Sequence, residues 1–123
     1  MIGYVTLGTN NMNKAAEFYD EIFKEVGAKR IFDTENFIAW GKSPTSPMLS
    51  ILPPYDGNPA TVGNGVMIAM LASSKEEVER VHAKALALGA KNEGDPGQRA
   101  GGFYIGYFRD MDGNKLNFFH VQS

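Results

Sequence analysis

The sequence predicts an α+β fold made of two βαβββ repeats, which form a curved, cup-shaped mixed sheet with helices on its convex side. Each half of the chain has the pattern of a strand, a helix and three further strands. The two helix ends carry similar sequences, "VGAKR" at Val26–Arg30 and "LGAKN" at Leu88–Asn92, 62 positions apart. The stretch Pro53–Gly65, rich in Gly, Pro and Asn, separates the halves. We therefore expect one domain over residues 1–123, with repeats at about 1–53 and 65–123 and a linker at about 54–64.

The first repeat opens with "IGYVTLG" (Ile2–Gly8), whose composition predicts a strand. The Asn residues that follow can cap a helix, because their side chains accept hydrogen bonds from free backbone N–H groups. We expect the helix from about Met12 to Val26, ended by Gly27, which adopts left-handed angles readily. The segments "AKRIFD", "FIAWGK" and "MLSILP" are the three expected strands. The apolar stripe of the helix is Phe18, Tyr19, Ile22, Phe23 and Val26.

The second repeat follows the same pattern. "GVMIAML" predicts a strand, and "SSKEEVERVHAKALALG" predicts a helix that Ser73 or Ser74 caps and Gly89 ends. A short strand "AKNEG" and a glycine-rich loop, "DPGQRAGG", come next. The strands "FYIGYFR" and "KLNFFHV" complete the repeat, joined by the turn "DMDGN".

Composition excludes several classes of function. The formal net charge is −2 and no basic run is present, so we expect no nucleic-acid partner. The chain has no cysteine, which excludes disulfides and thiolate metal sites and fits a reducing compartment. No apolar run reaches the ~18–20 residues that a membrane span needs, and the N-terminus lacks the basic start of a signal peptide. We expect a cytoplasmic protein with no membrane partner.

Asn117 is an unusual residue for a strand that otherwise reads Leu-Phe-Phe, because asparagine is disfavoured in strands. Side chains alternate between the two faces of a strand. We expect the aliphatic faces of the strands to pack under the helices. The opposite faces would then line the concave side, with Tyr4, Thr6, Met67, Asn117 and Phe119.

Three stretches carry a resemblance to a known family: "IGYVTLGTNNMNKAAEFYDEIF", in which "FYDEIF" is a weaker signal, "GNGVMIAMLASSKEEVERVHAKALALGA", and above all "GYFRDMDGNKLNFF". Over nearly its whole length the chain resembles the glyoxalase / bleomycin-resistance / extradiol dioxygenase superfamily, which has the vicinal oxygen chelate fold. The resemblance implies a cup that often holds one divalent metal. The family ligands are a His in the first strand, a His or Gln early in the second repeat, and a Glu in the last strand. Those positions hold Tyr4, Met67 and Asn117 here.

These three residues are poor ligands for the hard or borderline divalent ions, which prefer carboxylate, imidazole or water. We therefore expect no metal at the family site and no other cofactor. The first hypothesis is a small-molecule binder for an apolar or aromatic ligand, of which drug sequestration is one form. The alternative is a metal-dependent glyoxalase-like lyase or isomerase, or a dioxygenase. A third is a structural or regulatory dimer, and the resemblance implies a homodimer in any case.

No catalytic residue can be assigned, but a ligand pocket can be outlined. A hairpin that pairs Arg109 with Lys115 would set Tyr107 beside Asn117, whereas a bulge in the turn would break this register. Trp40 lines the pocket or packs in the core. Arg99, in the glycine-rich loop, is expected to be a solvated loop charge, and the alternative is contact with an anionic substrate. His82 and His120 are expected to pack structurally. The expected pocket residues are Tyr4, Thr6, Trp40, Met67, Tyr107, Asn117 and Phe119.

Overall fold

The computed structural model describes residues 1–122 and divides by its contacts into two compact units, Met1–Val62 and the chain from Gly63 onward. The division falls inside the predicted linker. Both units have the element order βαβββ and one four-stranded sheet, which confirms the α+β class and the internal repeat. None of the helices within residues 1–122 is long and apolar enough to cross a membrane.

The two units share one sheet topology. In each, the first strand pairs in parallel with the last, and the other neighbours are antiparallel. The sheet orders are β1-β4-β3-β2 and β5-β8-β7-β6. The first unit comprises β1 (Tyr4–Gly8), α1 (Met12–Lys24), β2 (Lys29–Thr34), β3 (Phe37–Gly41) and β4 (Met48–Leu52). The second comprises β5 (Ile68–Leu71), α2 (Lys75–Ala87), β6 (Lys91–Gln98), β7 (Phe103–Arg109) and β8 (Lys115–Val121).

The helix ends follow the capping signals in the sequence. The Asn11 side chain accepts a hydrogen bond from the N–H of Lys14 at 3.0 Å and begins α1. Ser74 begins α2 in the same way, accepting from the N–H of Glu77 at 3.1 Å. Gly27 and Gly89 follow the helix ends with φ of 76° and 105°, values that a residue with a Cβ rarely adopts. The predicted stop residues are therefore confirmed.

Helix α1 is held to its sheet by an aromatic cluster and one carboxylate. The Trp40 ring lies 5.6 Å from that of Tyr19 and 5.9 Å from that of Phe23. Asp20 accepts from Trp40 Nε1 at 2.8 Å and from Arg30 Nε and Nη2 at 2.9 and 2.7 Å. The hydrogen bond from Arg30 holds the pKa of Asp20 below its usual range. One side chain of α1 thus fixes both β2 and β3.

Strand β6 runs further than the sequence suggested, through the first half of the predicted glycine-rich loop. Its pairing with β7 shifts register between Asn92 and Gly94 and again between Gly94 and Gly97. Pro96 lies inside the second irregularity, where a missing N–H does not interrupt a regular ladder. The Gly and Pro residues therefore correctly indicated an irregular segment, but the prediction that β6 ends before this segment was wrong.

His82 of α2 ties β6 to β7 from the helix side. Its Nε2 lies 3.1 Å from Asn92 Oδ1 and 3.1 Å from the carbonyl oxygen of Tyr107. Both partners are acceptors, so Nε2 carries the proton. Gly106 lets the ring approach, because a Cβ there would lie 3.0 Å from His82 Cδ2. The structural role expected for His82 agrees with this packing.

Candidate functional site

Each sheet has one face covered by its own helix and an opposite face, called here the distal face. In the first unit, the strand register places Thr6, Ala39 and Ser50 side by side on the distal face. Tyr4 and Phe37 share this face, with ring centroids 6.1 Å apart, and Tyr4 is 58% exposed. Two of the expected pocket residues, Tyr4 and Thr6, therefore lie on the first distal face.

Trp40 does not lie there. It pairs with Leu49 in the register, on the face that α1 covers, and only 2% of it is exposed. The expectation that Trp40 lines the pocket with Tyr4 is wrong, because its ring fills the space between α1 and the sheet. The four-residue run "FIAW" is apolar throughout, so alternation in the sequence could not show which face the indole takes.

The second distal face carries the remaining expected residues. Register pairs Asn117 with Tyr107 on one side and with Ala69 on the other, and it pairs Phe119 with Leu71. Arg109 pairs with Lys115, which is the register that sets Tyr107 beside Asn117. Met67, just before β5, reaches the same place, since its Sδ accepts from Asn117 Nδ2 at 3.5 Å. The structure therefore brings together Met67, Tyr107, Asn117 and Phe119.

The Asn117 amide is buried with one end unsatisfied. Only 3% of the residue is exposed, and Oδ1 is a buried acceptor that has no hydrogen-bond partner. Its Nδ2 donates to a thioether, which is a weak acceptor. Exchanging the amide oxygen and nitrogen would instead leave an N–H donor unpaired. In either orientation the site contains a buried polar group of the kind that native proteins normally satisfy.

Tyr107, the neighbour of Asn117, is approached by two cations. The guanidinium of Arg99 lies 5.6 Å from the ring centroid and the ammonium of Lys115 lies 5.4 Å from it. Both distances are typical of cation–π contacts. The expectation of a solvated loop charge at Arg99 missed this contact, because the bulges of β6 that bring Arg99 back over the sheet cannot be read from composition.

A cavity of about 320 Å³ lies beside α1 in the first unit. Its charges largely pair with one another, Asp20 with Arg30 and Glu21 with Lys24. Because these charges are paired, few are available to bind a charged ligand, and the pairing indicates a structural cleft rather than a binding site. Its lining residues are Glu17, Asp20, Glu21, Lys24, Ala28, Lys29, Arg30 and Trp40.

The sequence matches the family model of the glyoxalase/bleomycin resistance protein/dioxygenase superfamily over residues 1–118. The chain belongs to this superfamily. No curated protein matches it. A glyoxalase/bleomycin resistance protein from Albidiferax ferrireducens T118 is 31% identical, with 99% of each chain covered and a TM-score of 0.90.

Other superfamily structures are more distant in sequence. A family enzyme from Burkholderia phytofirmans PsJN is 17% identical, with 98% of both chains covered and a TM-score of 0.78. A lactoylglutathione lyase from Agrobacterium tumefaciens is 20% identical, with 98% of this chain and 92% of that chain covered and a TM-score of 0.68. At these identities the likeness shows the fold alone.

The residues of this superfamily member do not fit the divalent metal that the family implies. The three family positions offer a phenol, a thioether and an amide, and the amide N–H is directed at the thioether sulfur. Neither histidine supplies a ligand, because His82 bonds Asn92 and Tyr107 while His120 Nδ1 lies 3.3 Å from the Ala72 carbonyl. Within residues 1–122, no three His, Cys, Asp or Glu side chains converge in a manner that would hold an ion.

Proposed function

We propose that this superfamily member binds a small organic molecule on the second distal face without a metal ion. The ligand has an apolar or aromatic body and one hydrogen-bond donor. The observation that carries the proposal is the unpaired Oδ1 of Asn117, which a ligand O–H or N–H would satisfy.

The surroundings of Asn117 suit an apolar ligand. Phe119 and Phe103 have ring centroids 5.6 Å apart, and Leu71 on the same face is 66% exposed. Met67 is 39% exposed and has a flexible, polarisable side chain, so it can move away from the amide as a ligand enters. Apolar walls with one placed polar group are the usual composition of a small-molecule site.

Metal ions are expected to leave the melting temperature of the EDTA-treated protein unchanged. A ligand that binds only the native state raises this temperature by an amount that grows with its concentration relative to its dissociation constant. The measurement is thermal unfolding with Ni²⁺, Zn²⁺ and Mn²⁺ added in turn. The double variant Met67→His/Asn117→Glu provides a positive control, since it sets an imidazole beside a carboxylate and should gain a metal-dependent rise. A large, saturable rise in the wild-type protein would contradict metal-free binding.

A neutral aromatic alcohol, 3-phenylpropanol, is expected to bind in the presence of EDTA. Its hydroxyl would donate to Asn117 and its ring would cover Phe119. Amide ¹H–¹⁵N spectra should show saturable shifts centred on Met67, Tyr107 and Asn117. The variant Asn117→Leu should weaken binding by about tenfold, the effect of one well-made hydrogen bond. Shifts elsewhere on the chain, or equal affinity in the variant, would overturn the proposal.

A further inference from the structure

The two cations beside Tyr107 form no ion pair at contact distance among the described residues, although the charge of Lys115 helps to lower the pKa of Glu93. Within residues 1–122, neither Arg99 nor Lys115 forms an ion pair, and the hydrogen bond of Arg99 goes to the backbone carbonyl of Asp95 at 3.0 Å. A third cation, Arg109, lies directly opposite Lys115 in the sheet. Like charges at such cross-strand positions repel each other.

The nearby acids are engaged elsewhere. Glu93 pairs with Arg109 Nε at 2.6 Å, and this bond holds the pKa of Glu93 below its usual range. The Asp95 carboxylate accepts from Asn92 Nδ2 at 2.7 Å. Four cations, Lys91, Arg99, Arg109 and Lys115, thus lie on this part of the second unit with two acids, Glu93 and Asp95. Two of the four, Arg99 and Lys115, lie at Tyr107.

We propose that the ligand of this site is a carboxylic acid, whose anionic group binds between Arg99 and Lys115 at the edge of the Tyr107 ring. The inference rests on the proposed function and adds the chemical class of the ligand. Tyr107 and Asn117 are direct cross-strand partners, and the Cβ atoms of such partners are about 4.5–5.5 Å apart. A carboxylate beside Tyr107 and a donor at Asn117 can therefore belong to one small ligand, and a 2-hydroxy or 2-acylamino acid carries both groups.

Each part of the proposed ligand has its own complement on the protein. The guanidinium of Arg99 matches the planar carboxylate, and the Lys115 ammonium adds a second positive charge. The hydroxyl or amide N–H satisfies Asn117 Oδ1. The apolar body covers Phe119 and Leu71, which follow Asn117 and Ala69 along β8 and β5.

Three matched probes test the inference with EDTA present: 3-phenyllactate, its uncharged amide 3-phenyllactamide, and 3-phenylpropanoate, which lacks the hydroxyl. We expect 3-phenyllactate to bind about tenfold more tightly than either of the other two, since each lacks one charged or well-placed hydrogen bond. Dissociation constants come from titration of the amide spectrum. Equal affinity for 3-phenyllactate and its amide would overturn the carboxylate inference while leaving the proposed function intact. No binding of any probe would contradict the proposed function as well.

Removing the charge of each cation in turn tests whether the carboxylate of the ligand binds at Arg99 and Lys115. Arg99→Gln and Lys115→Gln are each expected to weaken 3-phenyllactate binding severalfold and to leave binding of the amide unchanged. Lys75→Gln is the matched control, because the Lys75 ammonium lies 5.4 Å from the Tyr104 ring, the same geometry on the helix side of the sheet. Equal losses in Lys75→Gln and Lys115→Gln would show a general effect of net charge and would overturn the proposed subsite.

Discussion

Replacing Trp40 by alanine is expected to lower the free energy of unfolding by about 3–5 kcal/mol, the range for removing a large buried aromatic side chain. The indole contacts two rings of α1 and donates to Asp20, so the substitution leaves a cavity and takes one hydrogen bond from that carboxylate. Urea unfolding followed by far-UV circular dichroism measures the loss, since the protein's single tryptophan is absent from the variant.

Two further variants keep this test decisive if the alanine protein does not fold. Trp40→Phe retains most of the packing and should lose less stability, while its affinity for 3-phenylpropanol stays at the wild-type value. Tyr55→Ala is the control for an exposed aromatic ring, because Tyr55 is fully exposed, and such changes stay within about 0.5 kcal/mol. A loss of ligand affinity in a stable Trp40→Phe protein would show that Trp40 contributes to the pocket and would contradict its placement under α1.

The substitution Asn117→Leu is expected to stabilise the protein by about 1–3 kcal/mol, the cost of a buried polar group left unsatisfied. Leucine has the same branched shape and the same number of side-chain heavy atoms, and asparagine is disfavoured in strands. Chemical unfolding at neutral pH gives the difference. The same variant should lose affinity for 3-phenylpropanol, so stability and binding are expected to change in opposite directions, as they do where a site is maintained at a cost in stability.

Asn114 provides the matched comparison, since it is also buried but is fully engaged. Its backbone N–H and its Nδ2 donate to the two oxygens of Asp110, at 2.9 and 3.0 Å. Asn114→Leu is therefore expected to destabilise the protein by about 1–3 kcal/mol, because Asp110 loses a partner while buried. If both leucine variants change stability in the same direction, the unsatisfied state of Asn117 is not the cause.

The sequence predicted most of the fold because its signals are local. Asn11 and Ser74 as caps, Gly27 and Gly89 as stops, and the repeat itself all depend on neighbouring residues. The pairing of Tyr107 with Asn117 was also predictable, since a short turn fixes the register of a hairpin. These signals placed four residues of the candidate site on one face of the second sheet.

The parts that were not predictable depend on long-range packing. The face of Trp40 is decided by the rings of α1, because its own strand has no polar alternation. The position of Arg99 depends on two register shifts in β6. In this segment the Gly and Pro residues are as compatible with a loop as with a bulged strand. The unpaired Oδ1 of Asn117 depends on where Met67 lies, fifty residues away along the chain.

The strand order has a consequence for synthesis. In the second unit, β8 lies between β5 and β7, so β5 has no strand partner until residues 115–121 have been made. Contacts between strands far apart in sequence form late, and the exposed strand edges that wait for them promote association with other chains. The first unit can pair all four of its strands as soon as β4 is complete at Leu52. A ribosome-bound chain that has not yet reached β8 should therefore contain one fully paired sheet, in the first unit, and one sheet in which β5 is still unpaired.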